Sequence, residues 1–368
     1  MNPIEDPLHP TRREFLSRAA RRLGAAAAVA TAGPWTADAA EATGGVGPHF
    51  PGRAKHVIYL HMVGGPSQMD LYDYKPKMND WYDKDLPESI RRGQRLTTMT
   101  SGQSRFPVAP SKYQFARHGQ CGMWVSELLP YTARMVDDLC FVRTMQTDAI
   151  NHEPAITFIQ TGNQITGRPC LGAWVSYGLG SLNPSLPTFV VMVARPTNME
   201  QLQAISARLW SSGYLPGDHA GVSLRTSGDP ILYINNPPGV SDEVRRRTVE
   251  GLRAMNEACF QRLGDPETRT RTRQYELALR MQGSMPDLVA TARELASTYA
   301  LYGDEAKKPG TFANAALMAR RMVERGVRFV QIYHNNWDSH ANVAGRLPSQ
   351  CRDVDQACWG LIQEVDRG

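Results

Sequence analysis

Four short, mostly apolar runs constrain this chain more than anything else in it: "HVIYLHM" (56–62), "LCFVRTM" (139–145), "TFVVMVA" (188–194) and "VRFVQIY" (327–333). A strand with one face in water alternates apolar and polar residues, whereas a strand covered on both faces is free of that rule. Runs this short, separated by helical stretches, predict an α/β fold: a mostly parallel sheet flanked by helices. The helices are legible between them. "GTFANAALMARRMVERG" (310–326) has apolar residues at helical spacing, Arg and Glu on the other face, and a terminal glycine. "DEVRRRTVEGLRAMNEACFQRLG" (242–264) and "TRQYELALRMQ" (272–282) are more polar. They predict an inserted helical hairpin with a solvated outer face, in an insertion near 240–300. Residues 76–120 are rich in Lys, Arg, Gly and Ser with little periodicity, and read as a long insertion after the first strand.

Composition matters here for what it excludes. With 42% hydrophobic and 21% charged residues, the chain matches a globular protein with a sizeable core. The net charge of +5 is modest, and Arg12, Arg13, Arg18, Arg21 and Arg22 supply part of it within one short stretch, so nothing favours a nucleic-acid partner. That stretch reads as an address. "TRREFL" (11–16) holds a twin-arginine pair, "GAAAAVATAGPW" supplies a weakly apolar segment, and "ADA" (37–39) or "AEA" (40–42) offers a cleavage site. Residues 1–42 are therefore expected to be a twin-arginine signal peptide. The domain spans 43–368, with export to the periplasm or cell surface and the export machinery as a partner. No later run is long enough for an integral membrane span. The six cysteines form no CxxC pair, and no disulfide pairing follows from their positions.

In an open parallel sheet, ligands bind beyond the carboxyl ends of the strands, so the residues after each run are the candidates. The first run contains His61 near its end and leads into "VGGPSQMDLYD", with Ser67, Asp70 and Asp73; the second leads into "QTDAINHEPA"; "VRFVQIY" leads into "HNNWDSH", with His334, Asp338 and His340. Asp338 and His340, two residues apart in an extended segment, can both point into one cleft, and Asp with His ligates divalent metals. The plainer reading makes Asp338 a cap on the next helix and Ser67 or Asp70 an N-cap after a Gly-Gly turn. In "NHEPAITFIQTG" (151–162), Pro154 suits the first turn of a helix that Gly162 closes, leaving His152 and Glu153 at its amino end. A helix start attracts anions such as phosphate or sulfate. The same field disfavours imidazolium, which keeps His152 available to bind a metal or attack. The plainer alternative is a histidine that bonds a neighbouring loop.

"HMVGGPSQMDLYDYKP", "NHEPAITFIQTGNQITGRPCLGAWVSYGLGS", "LPTFVVM" and "NNWDSH", behind a twin-arginine leader, together resemble the exported domain of unknown function 1501 family. The family is placed in the alkaline phosphatase and sulfatase superfamily, and the resemblance covers nearly the whole mature chain. It implies a sulfatase-like fold whose nucleophile starts the helix after the second strand, in a Cys-x-Pro-x-Arg segment ending in Thr-Gly. Laid on that pattern, His152 takes the nucleophile's place, Pro154 matches the proline, Thr161 and Gly162 match the end, and Ile156 stands where the arginine would be. The resemblance also implies further ligands beyond the final helical segment, so the chain reads as truncated at its C-terminus.

Two functions are expected from these readings. One is a metal-dependent hydrolase of sulfate or phosphate esters, acting on a small-molecule or polysaccharide ester. It has His152 as nucleophile or ligand and Asp70, Asp338 and His340 holding a divalent metal, with zinc, manganese and calcium not distinguished. Ser67, Glu153, Arg168 and His334 line its anion and substrate site. The alternative is a non-catalytic binding protein for an anionic, for example sulfated, polysaccharide. "GLGSLNPS" (178–185) follows a helical stretch instead of opening one after a strand, so no dinucleotide fingerprint exists.

Overall fold

The structure, a computed structural model, describes residues 51–93, 100–197, 199, 202–228, 231 and 235–365. The stretch read as a signal peptide lies outside these residues. The chain divides into Met1–Ala54 and Lys55–Gly368, and only the second has regular structure among the described residues.

Three of the four apolar runs are strands of one parallel sheet. β1 (Val57–Met62), β4 (Phe189–Ala194) and β6 (Phe329–His334) are joined by a short β5 (Val222–Leu224) in the order β1-β6-β4-β5. A separate antiparallel pair, β2 (Phe115–His118) and β3 (Met123–Ser126), straddles the end of the first insertion. β6 is central and buried at every position, in register with β1 from Val57↔Phe329 to Met62↔His334 and with β4 from Phe189↔Phe329 to Ala194↔His334. Burial on both faces explains its mostly apolar character, which Gln331 and His334 interrupt.

Its alternate side chains feed two cores. Val330 and Ile332 join a large cluster with Leu317 and Met322 of the helix Phe312–Glu324, Val354 and Leu361 of the helix Val343–Val365, and Met281 and Leu288 of the helix Glu267–Val289. Phe329 and Tyr333 join a smaller one with Leu209 and with Cys170 and Ala173, at the start of the helix Leu171–Leu179, and Ile156 packs against this cluster. Helices thus cover both faces of the sheet. The more polar pair Asp242–Leu263 and Glu267–Val289 packs together as a hairpin. No helix among the described residues is long and apolar enough to cross a membrane. The six cysteines are free.

The second run, 139–145, is not a strand. It has no regular structure, Val142 is 61% exposed and Met145 75% exposed, and only Phe141 packs inward, against Tyr72. Both hydrogen-bonding sides of β6 are taken by β1 and β4, and Arg143 interrupts the run where a central strand would have to bury it. The fourth place in the sheet goes to Val222–Leu224, only three residues long.

The segment that follows β3 is tied to the helix Val343–Val365 by a buried carboxylate. Asp355, 3% exposed, accepts hydrogen bonds from the Tyr131 and Thr132 amides, both at 2.8 Å, and from the Thr132 hydroxyl at 2.6 Å. Burial pushes its carboxyl up, against the lowering effect of these bonds. Its removal strands two amides in the interior, so Asp355→Ala is expected to cost about 2–4 kcal/mol. Urea unfolding measures this, and a loss below about 0.5 kcal/mol would contradict the anchoring role.

Candidate functional site

The candidate site forms where β1 and β6 end. Val63 donates its amide to the His334 carbonyl at 2.8 Å and accepts from the Trp337 amide at 3.0 Å, carrying the β1–β6 ladder beyond the sheet. The next residue, Gly64, has φ +108°, and a Cβ there would lie 2.4 Å from the Asp338 nitrogen and 2.9 Å from its Cβ. Only glycine meets both demands, the backbone angle and the close approach.

Six of the seven residues of "HNNWDSH" have their own task. His334 is fully buried; the Trp337 indole donates to its Nδ1 at 2.8 Å, so the proton sits on Nε2, 3.2 Å from Asp353 Oδ2. Burial alone would raise the Asp353 carboxyl, but hydrogen bonds from His334 and from the Thr197 hydroxyl and amide outweigh it and hold it below its ordinary value. Asn335 clamps the Gln203 backbone, accepting from its amide at 2.9 Å and donating to its carbonyl at 2.7 Å. Asn336 turns the chain with φ +75°. Asp338 then emerges, accepting at its Oδ2 from Gln203 Nε2 at 3.0 Å, beside His340 Nε2 at 2.6 Å.

His152 completes the group from another direction. It is the first residue of the helix His152–Thr161, which starts behind Asn151 and is closed by Gly162 at φ +73°. Its Nε2 lies 3.0 Å from the same Asp338 oxygen. The ligand atoms of His152, Asp338 and His340 all fall within 4.8 Å of one another, the one such cluster among the described residues. They stand beside a cleft of about 740 Å³, lined by His152, Gln203, Arg208 and the Gly-Gly turn together with the outer face of the helix. That volume suits a small-molecule ligand.

Three of the eight expected residues therefore converge. Glu153 joins them at the cleft wall, paired with Arg208. Asp70 stands apart from the trio: the Ser67 hydroxyl donates to its Oδ2 at 2.7 Å across a single helical turn, Gln68–Leu71, and neither side chain caps that turn's backbone. Arg168 is exposed and outside the cleft lining. His334 is corrected from a substrate-binding to a supporting residue, because it is buried with both ring nitrogens engaged. Gln203 and Arg208 were not expected. They lie after β4, and the placement of ligands beyond the carboxyl ends of parallel strands points to that segment as it does to the others.

The family model described as "Protein of unknown function (DUF1501)" matches residues 54–368. The chain belongs to the DUF1501 family. No curated protein and no solved structure matched. In this DUF1501 chain the match spans every element that builds the site, from β1 to the helix after β6.

His61 forms part of the cleft lining and is partly buried, 5.5 Å edge-on to Tyr333 and 5.9 Å from the Tyr59 ring. Burial pushes its imidazole down from 6.5 to about 4. The unfolded chain then takes up the proton first as pH falls, so the stability tied to neutral His61 is complete above pH 6.5 and is lost on descent towards about 4. The stability difference between the native protein and His61→Gln is expected to shrink across that window in chemical denaturation at several pH values. A difference that does not change with pH would contradict this.

Proposed function

We propose that this protein is a metal-dependent hydrolase of sulfate or phosphate monoesters, built on a sulfatase-like variant of the α/β sheet and exported by the leader read in residues 1–42. The observation that carries the proposal is the convergence of His152, Asp338 and His340 to within 4.8 Å beside a cleft of small-molecule size. Two imidazoles and one carboxylate match the donor set of catalytic zinc sites, which leave a position open for water or substrate. Gln203, held by Asn335, keeps the Asp338 carboxylate turned towards the histidines. A divalent ion bound there supplies a Lewis acid for the ester and a water that ionises near neutral pH. In this reading His152 is a ligand, and Arg208 contributes the charge that meets the ester anion. Ile156, where the family resemblance leads one to expect an arginine, instead packs against the second core.

The purified mature chain is expected to carry near-stoichiometric divalent metal by elemental analysis and to lose it in the double variant Asp338→Ala, His340→Ala. Gln203→Ala is expected to weaken metal affinity roughly 10- to 100-fold, the effect of removing a residue that orients a ligand. Chelation should abolish turnover of aryl phosphate or aryl sulfate. A folded protein without metal that retains a sulfated polysaccharide, and does so regardless of chelator, would replace the hydrolase by a binding protein. The export half is separable: Arg12→Lys with Arg13→Lys should trap the uncleaved chain in the cytoplasm, and unchanged localisation would remove it.

A further inference from the structure

The helix His152–Thr161 presents its charged start to the trio but shows the cleft a different face further along. Phe158 is 40% exposed and Ile159 56% exposed, and both line the cleft with Met145. Large apolar side chains left open on a helix that buries only Thr157 and Gln160 need a reason, and the cleft they share supplies one. At the opposite end lie His152, with Asp338 against it, and Arg208. Arg208 is held in place through its Nη2 by Glu153, while its Nε is shielded from solvent without an acceptor among the described residues.

We infer that the cleft selects a monoester anion whose organic part is apolar, an aryl or branched alkyl group, over a sugar ester of the same anion. The charged end meets the phosphate or sulfate, and Phe158, Ile159 and Met145 cover the rest. A hexose would set its hydroxyls against three side chains that offer no hydrogen bond, leaving those groups poorly solvated. An aryl group instead removes apolar surface from water on both partners. The inference rests on the hydrolase reading only for the nature of the anion.

The test uses calorimetry on the full mature chain with 2-naphthyl phosphate, 2-naphthyl sulfate, glucose 6-phosphate and galactose 6-sulfate. The naphthyl esters are expected to bind at least tenfold tighter than the sugar esters of the same anion. Phe158→Ser with Ile159→Ser, both at exposed positions, should remove that advantage by weakening the naphthyl esters, while the sugar esters bind no more weakly than before. Arg208→Gln should weaken both ester classes together, and the phosphate and sulfate arms identify the anion. Equal affinities, no binding of either class, or a naphthyl advantage that survives the double variant would overturn the inference. The two readings fail separately. Naphthyl binding that depends on Phe158 and Ile159 in a protein without metal or turnover removes the hydrolase and leaves the selectivity. Metal-dependent turnover of both classes with equal efficiency does the reverse.

Discussion

The two backbone hydrogen bonds of Val63 are the constraint on which the site depends. Strands of a parallel sheet normally diverge into loops once the ladder ends, yet here β1 and β6 stay in register one step further, through His334 and Trp337. The chain then folds the Gly-Gly turn directly onto Asp338, an approach that a single Cβ at Gly64 would prevent. The position of the central carboxylate is thus set by main-chain geometry before any side chain is considered. A site built from strand ends in this way inherits the rigidity of the sheet.

Side-chain bonds then fix what the backbone leaves free. His334 and Asp353 tie the end of β6 to the helix Val343–Val365, and Thr197 brings the segment after β4 to the same carboxylate. Asn335 holds that segment again through Gln203, six residues further on. The bonds of His334 and Asn335 are partly shielded from water, where an unmade hydrogen bond is expensive, so the alternatives to this arrangement are few. The outcome is a preorganised carboxylate that accepts from Gln203 and has His152 and His340 close by, with no long side chain left to search for its place.

Much of this was legible in the sequence, and the parts that were not have physical causes. β4 and β6 could be read because burial on both faces favours mostly apolar runs, β1 because its run is apolar although it lies at the sheet edge, and the helix 152–161 because Pro154 and Gly162 mark its two ends. Residues 139–145 misled because an apolar run does not say what it packs against; in the fold Phe141 meets Tyr72 and Met145 becomes a cleft wall. β5 is too short to show a period, and the β2–β3 hairpin sits in a stretch whose composition suggests a loop. In the site, Asp338 and His340 were visible from their two-residue spacing. His334, only four residues before Asp338, was not separable by type from a ligand, since a buried histidine and a metal ligand are the same letter. Its pairing with Trp337 and Asp353 depends on tertiary packing that no local pattern carries.

The two ends of the cleft come from separate causes, and this bears on how such a site can change. The polar end depends on the strand ends, on Gly64 and on the Asn335 clamp, all held by main-chain contacts or buried bonds. The apolar end depends on Phe158 and Ile159, exposed side chains of one helix, and on Met145 in a stretch without regular structure. Exposed positions tolerate substitution at little cost in stability, whereas the buried supports do not. His152 links the two, because its position at the helix start puts it against Asp338 while the same helix carries the apolar wall. Replacing the wall can therefore retune what the cleft accepts without disturbing the trio, and the reverse does not hold: moving Asp338 would shift the helix partner on which the wall is mounted.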